Sequence, residues 1–270
     1  MKRPAFTLVE LLVVVATIAL LMAILLPSLR ISRQQAEAIL CSSNIRQLLC
    51  GLFSYETENQ TLPYGFCVER DNNGNPIKPP GGYPGNATFD RKGWWWFNYI
   101  SDYSRADKGK KQALWCPSRR IREPKFDYVL HGNYGVNRSI CKSFDDIQSR
   151  REEFVGTPLR SSDIPRSSET LLLVDSGYSL ISWWHAADKP PVVLGNTIIE
   201  DTSYIPGLSI NKDRNLWPGQ EQDAINGRHP NKTVNVGFVD GHMSRTKADD
   251  LFVEKTGDDY RNKSPLWVPK

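Results

Sequence analysis

From Phe6 to Leu26 the chain is apolar at every position except Thr7, Glu10 and Thr17, and the run stops at Pro27. As a helix rising ~1.5 Å per residue, those 21 positions span about 30 Å, the thickness of a bilayer's hydrocarbon core. From Ser28 to about Asn59 the pattern becomes periodic. Ile31, Ala38, Ile45, Leu48, Leu49, Leu52 and Phe53 return at three- and four-residue intervals, with Arg, Gln and Glu between them, and no Gly occurs before Gly51. The pattern predicts one long helix, apolar all round over residues 6–27 and amphipathic over 28–60. Its outer half lays a single stripe on a globular part. Thr61-Leu-Pro63-Tyr-Gly65 ends it.

Beyond residue 60 the signals turn to strands and turns. Short β-branched or apolar runs at Tyr128–Asn137, Glu169–Ser176, Val192–Glu200, Val234–Val239 and Met243–Thr246 read as strands of an antiparallel sheet. Asp240-Gly241 between the last two is a two-residue hairpin signal. Asp71 to Gly85 is a turn-dense loop, and Trp94–Trp96 with Phe97 reads as a short helix that packs on the stem. In Trp183-Trp184-His185, a strand would turn the two indoles to opposite faces and leave one exposed for a partner. The expected fold class is α+β: a long N-terminal helix packed on a mainly antiparallel β domain over residues 61–270.

Those 210 residues suffice for one sizeable core. The net charge is +4, and loss of Lys2 and Arg3 would leave +2, too weak a balance to argue for nucleic acid or an anionic surface. Lys2 and Arg3 on one side of the apolar run are matched by Arg30 and Arg33 on the other, so charge alone does not orient it. Cysteines lie at 41, 50, 67, 116 and 141, with no Cys-x-x-Cys pair and no zinc-type spacing. Cys41 and Cys50 are about 13 Å apart along one helix and cannot bridge each other. Bridges from the stem to Cys67 or Cys116 remain open, and the odd count leaves one thiol over.

A carboxylate inside an apolar span costs roughly 2.5–3.5 kcal/mol on insertion scales, so Glu10 is a functional candidate. A basic leader Met1-Lys-Arg-Pro-Ala5 followed by Phe6-Thr-Leu-Val-Glu10 and about twenty apolar residues resembles the type IV prepilin and pseudopilin superfamily. The resemblance implies a pilin-like fold and cleavage between Ala5 and Phe6 by a membrane prepilin peptidase. It implies N-methylation of Phe6, assembly through Glu10, and a helix kink at Pro27. Ala5 stands where members usually have Gly. Secretory signal peptides have shorter apolar cores, and a plain signal anchor would make the Glu accidental.

A subgroup of that superfamily carries a His, nine residues, and Asp-Gly near its carboxyl terminus. This chain has His229, ten residues, and Asp240-Gly241. Cys41-Ser-Ser-Asn44-Ile-Arg46-Gln47-Leu48, Trp115-Cys116-Pro117, Asn133-Tyr134-Gly135-Val136-Asn137 and Ser168-Glu-Thr-Leu-Leu-Leu-Val-Asp175 resemble further pieces of the same subgroup, in the same order. A His and a carboxylate can form an acid–base pair or bind a metal. Here a structural part is expected, with Gly241 serving the turn and His229 reaching a nearby loop backbone. No nucleophile arrangement, His-Glu-x-x-His or phosphate loop is present, and His131, His185 and His242 are scattered. Asp145-Asp146, Asp249-Asp250 and Asp258-Asp259 lack the alternating spacing of a calcium loop and read as solvated turns.

The expected protein is therefore a non-enzymatic pilin-like subunit without cofactor or metal, held in the bacterial cytoplasmic membrane with its carboxyl-terminal domain outside the cytoplasm. Its partners would be the prepilin peptidase and like subunits of a type IV pilus or type II secretion pseudopilus, bundled through their stems. The main alternative is an anchored extracytoplasmic binding protein that never polymerises. An envelope hydrolase using His229 is the third class.

Overall fold

Thr7 opens the long helix with a reciprocal cap. Its hydroxyl accepts the Glu10 N–H at 3.3 Å, and the Glu10 carboxylate accepts the Thr7 N–H at 2.9 Å. From there α1 runs without interruption over Leu8–Asn59, 52 residues, and closes on Gln60 in the left-handed conformation (φ 63°). Pro27 sits inside it, so the Ala23 carbonyl lacks its helical donor. The computed structural model describes residues 7–67, 72–73, 93–100, 113–121, 129–144, 153–187, 203–214, 216–217, 219–257, 259–262 and 265–268. The expected cleavage residues Ala5 and Phe6, the strand at Val192–Glu200, most of the Asp71–Gly85 loop, Asp145-Asp146 and Asp258 lie outside them.

The head packs on the outer part of α1 only. Ala38, Cys41, Ile45, Leu48, Leu49 and Leu52 are buried at helical spacing, whereas Ile31, placed on the stripe by its spacing, stays exposed. Each fully buried Leu or Ile contributes about 1.5–3 kcal/mol. They meet a five-stranded sheet made of β3 (Tyr134–Asn137), β4 (Leu171–Asp175), β5 (Leu180–Ile181), β6 (Thr233–Phe238) and β7 (Met243–Lys247). Its order is β5-β3-β4-β6-β7, antiparallel throughout except for the parallel β3–β5 pair. Two shorter hairpins complete it: β1 (Phe66–Cys67) with β2 (Trp94–Trp95), and β8 (Val253–Thr256) with β9 (Asp259–Asn262). The molecule is thus α+β, a long apolar N-terminal helix packed on a mostly antiparallel domain.

The sheet has cores on both faces. Leu172, Leu173 and Val136 join the stem-side core, while Leu171, Val174, Val234, Val236 and Phe238 join the far one with Trp267. Burial on both faces explains why β4 reads as an unbroken apolar run. β6 alternates instead: its valines face away from the stem, leaving Asn235 and Gly237 toward it. A Cβ on Gly237 would lie 2.8 Å from Leu49 Cδ1 and 3.1 Å from Ile45 Cγ2, so the missing side chain lets helix and strand approach.

Three local expectations change. The β6–β7 connection is a three-residue loop, Val239-Asp240-Gly241, closed by Phe238 N–H to His242 O at 2.9 Å, with Gly241 at φ 90° in its last position. That is a turn followed by a left-handed glycine, rather than the two-residue turn expected. Trp94 and Trp95 form β2, and only Trp96–Tyr99 is helical, one turn we label α2. Trp95, Trp96 and Phe97 belong to the core shared with the stem. Trp183 and Trp184 lie on a 3-10 turn, Trp183–Ala186, not on a strand. The turn sends Trp183 against Tyr260 (centroids 4.7 Å) and Trp184 against Phe154 (5.2 Å), so neither indole is left exposed.

Candidate functional site

Two features of the chain are out of the ordinary for a folded domain. The first is the free half of α1. Its most apolar window has a mean hydropathy of 2.9, and none of it is buried. Leu8, Leu12, Leu20, Ile24 and Leu26 are each more than half exposed. By length and composition this segment can cross a membrane. Its polar side chains are satisfied within the helix: Thr17 donates to the Val14 carbonyl at 2.8 Å, and Thr7 Oγ1 donates to Glu10 at 2.7 Å.

The second feature is a buried polar cluster where α1 crosses the sheet. Asp175, the last residue of β4, turns its carboxylate to the stem side. There Oδ2 accepts the Asn235 backbone N–H at 2.6 Å and the Asn235 amide at 3.1 Å. His229 Nε2 lies 3.0 Å from the same oxygen, and both side chains are wholly buried. Asn235 Oδ1 in turn accepts from Ser42 on α1 at 2.7 Å, tying the strand to the stem. Beside the imidazole, Cys41 of α1 and Cys116 bring their Sγ atoms to 2.7 Å. A ring nitrogen of His229 and both sulfurs all lie within 4.8 Å of one another.

The neighbours hold this cluster in place. Before His229 comes a short helix α3 (Glu221–Asn226), and Gly227 then turns the chain with φ 72°. Arg228 grips Asp223 of α3 with Nη2 at 2.7 Å, and donates to the Asn133 and Ser176 carbonyls at 2.7 Å each. Asp223 also accepts from Tyr204 Oη at 2.8 Å and the Arg120 N–H at 3.0 Å, which satisfies a charge pair that no solvent reaches. Cys116 is fixed by its N–H to Asn133 Oδ1 at 2.9 Å. Asn44, one turn along α1 from Cys41, donates to the Trp115 carbonyl and to Tyr134 Oη.

Charges follow from this arrangement. Burial alone would make His229 less basic, but the Asp175 carboxylate overrides it and lifts the imidazole to about 9. Asp175 is wholly buried, yet the His229 and Arg228 charges hold it below the usual carboxylate range. Of the two thiols, Cys41 is the more acidic: contact with the Cys116 thiol, aided by His229, outweighs burial and brings it to about 5. Burial pushes Cys116 up.

His229 and Asp240 take separate partners. Asp240 sits at the hairpin tip and pairs with His242 Nδ1 at 2.6 Å, both part-exposed, while His229 takes Asp175, 54 residues away in sequence, as its acid. Its partner is thus a carboxylate and not the loop backbone expected. Gly241 lies 3.4 Å, as a built Cβ, from the Phe53 ring near the outer end of the stem. His131 and His185 are buried in separate places, and burial with nearby arginines depresses both to about 3. Asp249 and Asp250 accept the N–H groups of Ser209 and Lys247.

The segments around Cys41, Trp115-Cys116, Asn133-Tyr134, Asp175 and His229, far apart along the sequence, converge on one spot. No protein-family profile, curated protein or solved structure matches the chain.

Proposed function

We propose that this chain is a pilin-like structural subunit. It is made with a prepilin leader, cut between Ala5 and Phe6, methylated at Phe6, and held in the bacterial cytoplasmic membrane by the free half of α1. The head faces away from the cytoplasm. The apolar stems bundle into a type IV pilus or a secretion pseudopilus, with Glu10 setting register. The observation that carries this reading is the naked stem. A helix of 52 residues binds its own head only from Ala38 onward and leaves a predominantly apolar segment for another apolar environment. In a bundle of such stems, apolar packing replaces lipid, and the carboxylate near the start pairs with a neighbour's new amino terminus.

The buried cluster supports a non-enzymatic reading. Cys41, His229 and Asp175 line up as a nucleophile, a base and an acid would, but all three are closed off from solvent. A substrate has no approach to the thiol, so the polar contacts serve to seat the stem on the sheet. Glu10, for its part, is capped within its own chain by Thr7, which favours a second reading: an anchored extracytoplasmic protein that stays monomeric. Crosslinking in native membranes through a cysteine placed at Val13 separates the two. A filament subunit gives a ladder of crosslinked species that Glu10→Ala abolishes, and a monomeric anchor gives no ladder with either chain.

A further inference from the structure

We propose that Cys41 and Cys116 form a disulfide that staples the stem helix to the head. Two sulfurs 2.7 Å apart are inside the contact distance of unbonded sulfur atoms, and both side chains are buried, with nothing between them. Two thiolates on one tetrahedral zinc, each at about 2.3 Å, would stand more than an ångström farther apart. The sulfurs are therefore better placed to bond to each other than to share an ion. The surroundings agree, because contact with the Cys116 thiol and the protonated His229 imidazole beside it both favour the Cys41 thiolate in the docked cluster.

The chemistry balances with an external disulfide as oxidant. The Cys41 thiolate attacks one sulfur of that disulfide, whose other half leaves as a thiolate. Cys116 then loses its proton, attacks the mixed disulfide at Cys41 Sγ, and expels the second half. The chain gives up two protons and two electrons, and the oxidant becomes two thiols. Since both sulfurs are buried in the docked state, the first attack occurs before α1 has settled on the sheet. The finished bond joins residues 75 apart in sequence and fixes the point where α1 leaves the head. Load carried by the stem then passes covalently to the Cys116 segment of the head. Oxidation in the cell rests on the proposed export of the head to an oxidising compartment.

The test uses the full-length chain in detergent, unfolded with reductant and then refolded in buffers of reduced and oxidised glutathione. Free thiols are trapped in acid and alkylated, and the protein is digested with trypsin. The result expected is one dominant linked pair, the peptide spanning residues 34–46 joined to that spanning 112–119, lost on reduction. Cys50, Cys67 and Cys141 remain alkylated. The proposal is overturned if Cys41 and Cys116 both stay alkylated at the most oxidising ratio. It is equally overturned if either pairs elsewhere, or if one zinc per chain copurifies and is lost in Cys116→Ser. The same peptides are then read from native membranes trapped in acid. A bond formed by the purified protein but absent there sinks the export reading and leaves the pairing of the two sulfurs intact.

Discussion

Replacing His229 by Ala removes the positive partner of a buried carboxylate, and its cost can be worked in two ways. At about 1.4 kcal/mol for each pH unit between the ordinary 6.5 and about 9, the charged imidazole, net of its burial, gains about 3 kcal/mol from its surroundings, Asp175 foremost. Truncating one member of a buried, hydrogen-bonded pair costs roughly 3–5 kcal/mol, so the two routes agree. The sign fixes where the cost is felt. The folded imidazole is more basic than the unfolded one, so its contribution is complete below about pH 6.5 and is lost as pH rises through about 9. All eight tryptophans lie in the head, so their fluorescence during urea unfolding of the full-length chain in detergent, with reductant present, reports its stability. At pH 6 the variant should be about 3 kcal/mol less stable than the parent, and by pH 10 most of that gap should close. A gap under 1 kcal/mol at pH 6, or one that does not change with pH, would refute the ion-pair account of His229.

Other perturbations test the frame around it. Gly237→Ala puts a methyl into Leu49 and Ile45, so unfolding free energy should drop by about 1–3 kcal/mol, read in the same urea titration. Asp223→Ala strands the Arg228 guanidinium in the core and should cost about 3–5 kcal/mol, whereas substituting the exposed pair member Glu169 should change little. His131 and His185 are held neutral by burial, with folded values near 3. The unfolded chain therefore binds protons that the fold refuses, and stability falls as pH drops below about 6.5, by up to about 1.4 kcal/mol per pH unit for each. His185→Gln should flatten that slope by about half. Reducing the Cys41–Cys116 bond should lower unfolding free energy by about 4 kcal/mol, the chain-entropy value for a loop of 75 residues.

The stem was legible because two signals coincide in it: an unbroken apolar run, then three- and four-residue spacing with no glycine before Gly51. β4 and β6 were legible for the same local reasons. What the sequence did not disclose depends on contacts remote along the chain. The 3-10 turn at Trp183 arises from His185 accepting the Ser182 N–H, a local bond that competes with strand geometry and has no periodic signature. β8 and β9 escaped notice because only Val253 among their residues is buried, so no alternating apolar pattern marks them. The candidate cluster was visible as residues but not as a site. Cys41, Cys116, Asp175 and His229 were each singled out within separate motifs, yet His229 was expected to reach a nearby loop backbone. The fold gives it Asp175 instead, because β4 and β6 are adjacent strands and the turn after α3 returns the chain to the end of β4. Ser42, Asn235 and Arg245, which link the stem to the sheet around the cluster, carried no signal of their own.

The claim that the free stem marks a processed, filament-forming subunit is tested most directly at its first residue. Protein purified from native membranes is measured intact and after digestion, and the amino-terminal peptide is sequenced by mass. The account predicts a chain that begins at N-methylated Phe6, with Met1–Ala5 gone. A chain that begins at Met1, or one cut well beyond residue 20, would contradict it.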